Sequence, residues 1–204
     1  MSLSGFAQND GMSSFDKIVA DIRSNEAASA AKRNWCPDHV GEIDIRIAVN
    51  GDWYHEGRRF QRQSLVKLFA SVLRRESDDY FLVTPAEKLR IEVDDAPFVA
   101  TLVESIASDT EPGSSEPAIV FTTNLGERIL LDQDHPLQIE MEPGSKTPRP
   151  YLRVRENIDA LISRSAFYDL INLAETFERD GQSYLAVRSL GQIYELGCID
   201  ESSE

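Results

Sequence analysis

The sequence predicts an α+β fold in which a strand-helix-hairpin motif is duplicated, giving two small sheet-plus-helix subdomains. Three observations carry this. Ile43, Ile45, Ile47 and Val49 alternate with Asp44, Arg46 and Ala48, and Leu89, Ile91 and Val93 alternate with Arg90, Glu92 and Asp94. That is the two-residue period of a half-buried strand. Leu65, Leu68, Phe69, Val72 and Leu73 fall at i, i+3, i+4, i+7 and i+8, the spacing of one apolar helix face. Finally, two stretches carry the same order of elements. The first is Ile45-Arg46-Ile47, a helix from Gln63, and Tyr80-Phe81-Leu82-Val83 with a hairpin return; the second is Leu152-Arg153-Val154, a helix after Ser165, and Tyr184-Leu185-Ala186-Val187 with a hairpin return. Neither strand, helix nor ribbon can bury its apolar side alone, so helix packs on ribbon in each copy. Matched element order is the sequence mark of internal duplication.

The elements follow in order. Residues 1–12 read as disordered. Ser13 then caps a short helix with Phe15, Ile18, Val19 and Ile22 on one face, prolonged by the Ala-rich stretch 26–32. Trp35-Cys36-Pro37 ends this arm. The strand over 43–49 reaches Asn50-Gly51, two residues that tolerate positive φ and so mark a hairpin turn, and Trp53 and Tyr54 begin the return. A helix is expected over 63–76, a strand over 80–83, a turn at Thr84-Pro85-Ala86-Glu87-Lys88, and the hairpin partner over 89–94. Residues 97–105 read as a strand and 109–117 as a loop by composition. Residues 118–123 and 128–131 pair across Asn124-Leu125-Gly126-Glu127, and Leu137, Ile139 and Met141 alternate as a strand. Residues 142–150 are a Pro- and Gly-rich loop, and 151–154 a short strand. Ser163 or Ser165 caps the second helix, whose face is Phe167, Leu170, Ile171, Ala174 and Phe177 and which Gly181 ends. A last hairpin joins 184–187 to 192–196 through Ser189-Leu190-Gly191. The organisation is therefore an N-terminal arm over 1–34, a first α+β repeat domain over 35–96, a second α+β domain over 97–200 and an acidic tail over 201–204.

Composition narrows the function. Twenty-one basic and 35 acidic residues give a net charge of −14, whose mean field repels a phosphate backbone and an anionic lipid surface. Neither nucleic acid nor membrane is expected as a partner. The N-terminus lacks the basic start and apolar stretch of a secretory signal, and no apolar run approaches the ~20 residues that span a bilayer, so a cytoplasmic location is expected. Cys36 and Cys198 are too few and too far apart for a disulfide framework. His39, His55 and His135 lack helical zinc spacing. Phosphate-loop, dinucleotide-fold and nucleophile-elbow motifs are absent, so no catalytic apparatus is legible.

The candidate site residues have two readings each. Asp94-Asp95 ends a strand before Ala96-Pro97, and Pro97 holds Asp95 extended; one carboxylate recognises a ribose hydroxyl, a base edge or a cation, or Asp95 starts a turn and Asp94 is solvated. His55-Glu56-Gly57 is an acid–base pair or a polar turn. Thr84 and Lys88 meet a phosphate or close a tight turn. Trp53, with Tyr54 and Phe98, is core or a stacking face for a base. Arg153 and Arg155 share a strand face, and Arg164 starts a helix, where free N–H groups also favour anions. Together they form a local anion site, or each finds one of the abundant carboxylates.

Gly51-Asp52-Trp53-Tyr54-His55-Glu56-Gly57, Leu65-Val66-Lys67-Leu68-Phe69, Tyr80-Phe81-Leu82-Val83-Thr84-Pro85-Ala86-Glu87-Lys88 and Val93-Asp94-Asp95-Ala96-Pro97-Phe98-Val99 resemble the bacterial domain of unknown function 1285 family. Leu152-Arg153-Val154-Arg155 and Ala160-Leu161-Ile162-Ser163-Arg164 look like it too. The resemblance spans roughly residues 35–197. It implies a duplicated-motif α+β fold whose second half is superficially similar to pleckstrin-homology domains, a nucleotide-like ligand between the halves, and a signal-transduction role. It implies no activity. The expectation is therefore a non-enzymatic regulatory protein binding a small anionic, nucleotide-like ligand at the interface between its halves, with no other cofactor. A protein-interaction module without a small ligand is the alternative. An enzyme using His55 or the Asp94/Asp95 carboxylates ranks third.

Overall fold

The computed structural model describes residues 35–111, 114–142, 144–145 and 147–199. The expected N-terminal arm helix and acidic tail lie outside them. The described chain forms β1 (His39–Ile47), β2 (Trp53–His55), β3 (Arg58–Arg59), α1 (Gln63–Ser71), β4 (Leu73–Glu76), β5 (Asp79–Val83), β6 (Glu87–Val93), β7 (Phe98–Glu111) and β8 (Ser114–Thr123). There follow β9 (Arg128–Leu130), β10 (Leu137–Met141), β11 (Pro148–Arg155), β12 (Ile158–Ile162), α2 (Arg164–Asn172), β13 (Glu175–Arg179), β14 (Gln182–Ser189) and β15 (Gln192–Ile199). The strands make two six-stranded sheets, β3-β2-β1-β6-β5-β4 and β10-β11-β12-β7-β8-β9, and a three-stranded sheet, β13-β14-β15. This is a mixed, sheet-rich fold with two helices among the described residues. Neither helix is long and apolar enough to cross a membrane. The described chain divides into two compact units, one of residues 35–45 and 60–92, the other of residues 46–59 and 93–199.

In the first unit, α1 buries Val66, Leu68, Phe69 and Ala70. Phe69 is fully buried and meets Phe60 edge-on at 5.7 Å between ring centres. The helix is shorter than its apolar period predicts. It stops at Ser71, and Leu73 already pairs with Leu82 in β5. Val72 and Leu73 stay buried, so the period runs on unbroken while the backbone changes. The second helix is corrected in the same way: α2 ends at Asn172 rather than near Gly181, and β13 follows almost at once. After each helix comes a three-stranded antiparallel run, β4-β5-β6 or β13-β14-β15. The two helices differ at their starts. The Ser163 hydroxyl accepts from the Ala166 amide at 3.2 Å and caps α2, whereas Arg62 at the start of α1 supplies no side-chain cap.

Two expected loops give way in part to strand, 109–117 over most of its described residues and 142–150 over its last three. Residues 109–111 and 114–117 continue the β7–β8 hairpin, with Pro117 opposite Ala107. Residues 148–150 open β11, where Pro150 pairs with Ile139 and Pro148 with Met141. Both prolines fit for a geometric reason. The Arg153 amide donates to Pro136 on the β10 side, and amide directions alternate along a strand. The nitrogens of Pro148 and Pro150 therefore face the other flank, where β12 pairs with β11 only from Tyr151 onward. No ladder bond is lost.

In the second unit, Asn124 fastens the turn after β1. Its side-chain nitrogen donates to the Gly51 carbonyl at 3.2 Å, its side-chain oxygen accepts from the Val99 amide at 3.2 Å, and its own amide donates to Val99 O at 2.7 Å. Gly51 has φ +79°, and a Cβ there would lie 2.5 Å from Asn124 Nδ2. Sheet β13-β14-β15 is tied to β8 by its last turn. The buried Ser189 hydroxyl accepts from Ile119 N at 3.0 Å and donates to Leu131 O at 2.7 Å, and Leu190 N donates to Pro117 O at 2.9 Å.

Candidate functional site

The chemistry of the second unit gathers on one face of β11. Along this strand Pro150, Leu152 and Val154 are buried, while Arg149, Tyr151, Arg153 and Arg155 are half-buried. Alternation on a pleated strand places Arg149, Tyr151 and Arg153 on one face. A register shift between Arg153 and Arg155 bends the strand end, and the Arg155 guanidinium lies 5.4 Å from the centre of the Phe98 ring.

Each pair here has defined partners. Asp95 accepts from Arg149 Nη2 at 2.6 Å and from the Tyr151 hydroxyl at 2.8 Å. Arg153 donates from Nε to Asp159 at 2.5 Å and from Nη1 to the Glu156 carbonyl at 2.6 Å. Arg153 and Asp159 lie directly opposite each other in the β11–β12 ladder. Burial, then the hydrogen bond to Asp95 and its charge, push the Tyr151 phenol up to about 12 against the pull of Arg149. Burial works against the charge of Arg149, and Asp95, Tyr151 and Glu142 together outweigh it, so that guanidinium is raised. Burial lowers the pKa of Arg155, with Glu127 and Glu156 opposing.

The other residues singled out from the sequence take these positions. Trp53 is buried at 2% exposure, as is Phe98, and Tyr54 is half-buried. His55 closes β2 opposite Arg58, and Glu56 (φ 49°) and Gly57 (φ 72°) form the two-residue turn to β3, the conformation that hairpin turns of this length require. Asp94 takes Arg46 in a fork, 2.7 Å to Nε and 2.6 Å to Nη2. Arg164 is exposed at the first position of α2. All of these belong to the second unit. Thr84 and Lys88 belong to the first. Thr84 is fully buried, its hydroxyl accepting from Glu87 N at 3.1 Å and donating to Glu87 O at 3.2 Å, which closes its own turn. Lys88 pairs with Glu76 and sits 4.3 Å from the Phe81 ring centre. Among the described residues no three His, Cys, Asp or Glu side chains gather to hold a metal.

Arg149 and Tyr151 are the two members of the β11 face that sequence reasoning missed. The signal was present: the arginine spacing, read backward from Arg153, reaches both. The prolines on either side of Arg149 concealed it.

Two family models cover most of the chain. The N-terminal domain of the domain of unknown function DUF1285 matches residues 32–96, and the C-terminal domain of the protein of unknown function DUF1285 matches residues 97–196. The chain belongs to the DUF1285 family. A crystal structure of a DUF1285 family protein from Silicibacter pomeroyi DSS-3 is similar at 36% identity and a TM-score of 0.76, over 90% of this chain and 96% of that one. Another DUF1285 family protein, from Shewanella baltica OS155, is 27% identical over 63% of this chain and 90% of its own, with a TM-score of 0.48. No curated protein matches.

Proposed function

We propose that this DUF1285 protein is a non-enzymatic regulatory protein that takes a small anionic, nucleotide-like ligand on the arginine-bearing face of β11. The observation carrying the reading is the alternation of Arg149, Tyr151 and Arg153 over a buried row, with Arg155 following at the bent strand end. Guanidinium forks match phosphate and carboxylate oxygens in plane, and the phenol adds a hydrogen-bonding group. A strand sets alternate side chains roughly 6.6 Å apart, and its core row holds that spacing. In a chain of net charge −14, such a face suits a small anion rather than a long polyanion. We further read the two helix-plus-meander arrangements as a duplication and the second unit as pleckstrin-homology-like, an analogy favouring binding over catalysis. A cytoplasmic, signal-transducing role accords with this.

The test is calorimetry of the full chain with adenosine and guanosine mono- and diphosphates and inorganic pyrophosphate. Saturable heat with a dissociation constant below roughly 1 mM is expected, weakened about tenfold or more by Arg153→Gln. Silence from every compound at millimolar concentration overturns the proposal.

A protein-interaction role is the second reading, favoured by Leu102 and Ile106 on β7, which are 61% and 39% exposed. Large apolar side chains on a strand surface suit a protein partner. Sedimentation of Leu102→Asp beside the wild type addresses self-association: matching monomer profiles at high concentration remove a second copy as that partner.

A further inference from the structure

We infer that Asp95 and Asp159 are built-in occupants of the β11 arginines, so that an anionic ligand is taken only in exchange for them. The inference rests on the anion reading above and concerns how that same face is regulated. Two independent pairs share one design. Asp95 reaches the face from the turn after β6 and holds Arg149 at 2.6 Å; Asp159 reaches it from β12 and holds Arg153 at 2.5 Å. Each aspartate thus uses a guanidinium donor that a phosphate oxygen would need.

Accessibility gives the exchange a direction. In both pairs the arginine side chain is the more exposed partner, 29% against 16% for Arg149 and Asp95, and 26% against 18% for Arg153 and Asp159. An incoming anion therefore reaches the cation, while the carboxylate lies behind it. The aspartates differ in their second partners. Asp95 is also held by the Tyr151 hydroxyl, while Arg153 keeps the Glu156 carbonyl when Asp159 lets go. Releasing Asp159 therefore leaves Arg153 still oriented by that carbonyl, whereas releasing Asp95 strands the Tyr151 hydroxyl. A half-buried carboxylate released without a partner bears a desolvation cost, and this cost sets the threshold that a ligand must exceed. A dianionic phosphate on Arg153 exceeds it more readily than a monoanionic carboxylate.

The experiment is calorimetry with inorganic pyrophosphate on the full-length wild type and on Asp159→Asn, Asp95→Asn and Asp169→Asn, each checked for folding by circular dichroism. Asp169 is exposed on α2 and controls for the loss of one negative charge. The expected result is binding about tenfold tighter for Asp159→Asn, a smaller gain for Asp95→Asn, and none for Asp169→Asn. The wild type binding as tightly as Asp159→Asn, or an equal gain for Asp169→Asn, overturns the exchange while leaving the anion reading standing. No binding by any of the four proteins overturns the anion reading, and this inference with it. Should either replacement at a paired aspartate fail to fold, the other still decides.

Discussion

The Tyr151 hydroxyl donates to one oxygen of Asp95 while Arg149 occupies the other. Burial first, and this carboxylate second, push the phenol up to about 12. A tyrosine raised above its unfolded value near 10 keeps, in the folded state, a proton that the unfolded chain has released. Its contribution to stability is whole below about pH 10 and is lost as pH rises through about 12. Tyrosinate absorbance across that range is expected to show a late-titrating component in the wild type that Tyr151→Phe lacks. The stability gap between the two proteins is expected to narrow over the same interval. Superimposable titration curves would refute the assignment.

Gly51 and Gly57 make a matched pair. Both have positive φ, 79° and 72°, but a Cβ meets Asn124 at the first and nothing within 4 Å at the second. Gly57→Ala is expected to cost about 1–2 kcal/mol for the left-handed backbone alone. Gly51→Ala adds an overpacking cost of about 1–3 kcal/mol. Urea midpoints give both values, and equal losses would mean that Asn124 yields freely.

Ser189 is buried with its hydroxyl between Ile119 and Leu131. Ser189→Ala strands a buried amide, at a cost of about 1–3 kcal/mol. A lowered denaturant midpoint at unchanged slope is the expected signature. A change below about 0.5 kcal/mol would show that the tie between sheet and strand is dispensable.

The helix starts predict opposite signs. Ser163→Ala removes the α2 cap and is expected to lower stability by about 1 kcal/mol. Arg62→Asp supplies the cap that α1 lacks and sets a negative charge at the helix start, raising stability by about 0.5–1 kcal/mol. Thermal midpoints moving in the same direction would contradict this account.

Period reading located the strands around Ile45, Leu89 and Leu137 and the starts of both helices, because those elements bury one face each. It failed where burial and backbone part company. Val72 and Leu73 are buried as helix end and as strand alike, so the 3.6-residue pattern overran α1 by a whole strand, and the same happened after Asn172. Composition misled at 109–117 and at 148–150, where Pro117, Pro148 and Pro150 lie in strands rather than loops. At the site, Arg153, Arg155 and Asp95 were legible as charged residues in an extended setting. The partner of Asp95 was not, since Arg149 lies 54 positions away and only the sheet brings them together. Thr84 illustrates the converse: its hydroxyl is committed to Glu87, a local bond that the turn residues permit but do not announce.

Pro148 and Pro150 have an effect beyond accommodating β11. Exposed strand flanks ordinarily present amide hydrogens on which a neighbouring molecule can extend a sheet, the first step toward fibrils. Along the stretch past the end of β12, the exposed Pro148 has an imino nitrogen with nothing to donate, and the buried Pro150 offers none either. A stray chain approaching there finds carbonyls only. The segment that bears the arginines is thereby shielded from strand-by-strand growth, and its basic face can stay open to small solutes without recruiting copies of itself.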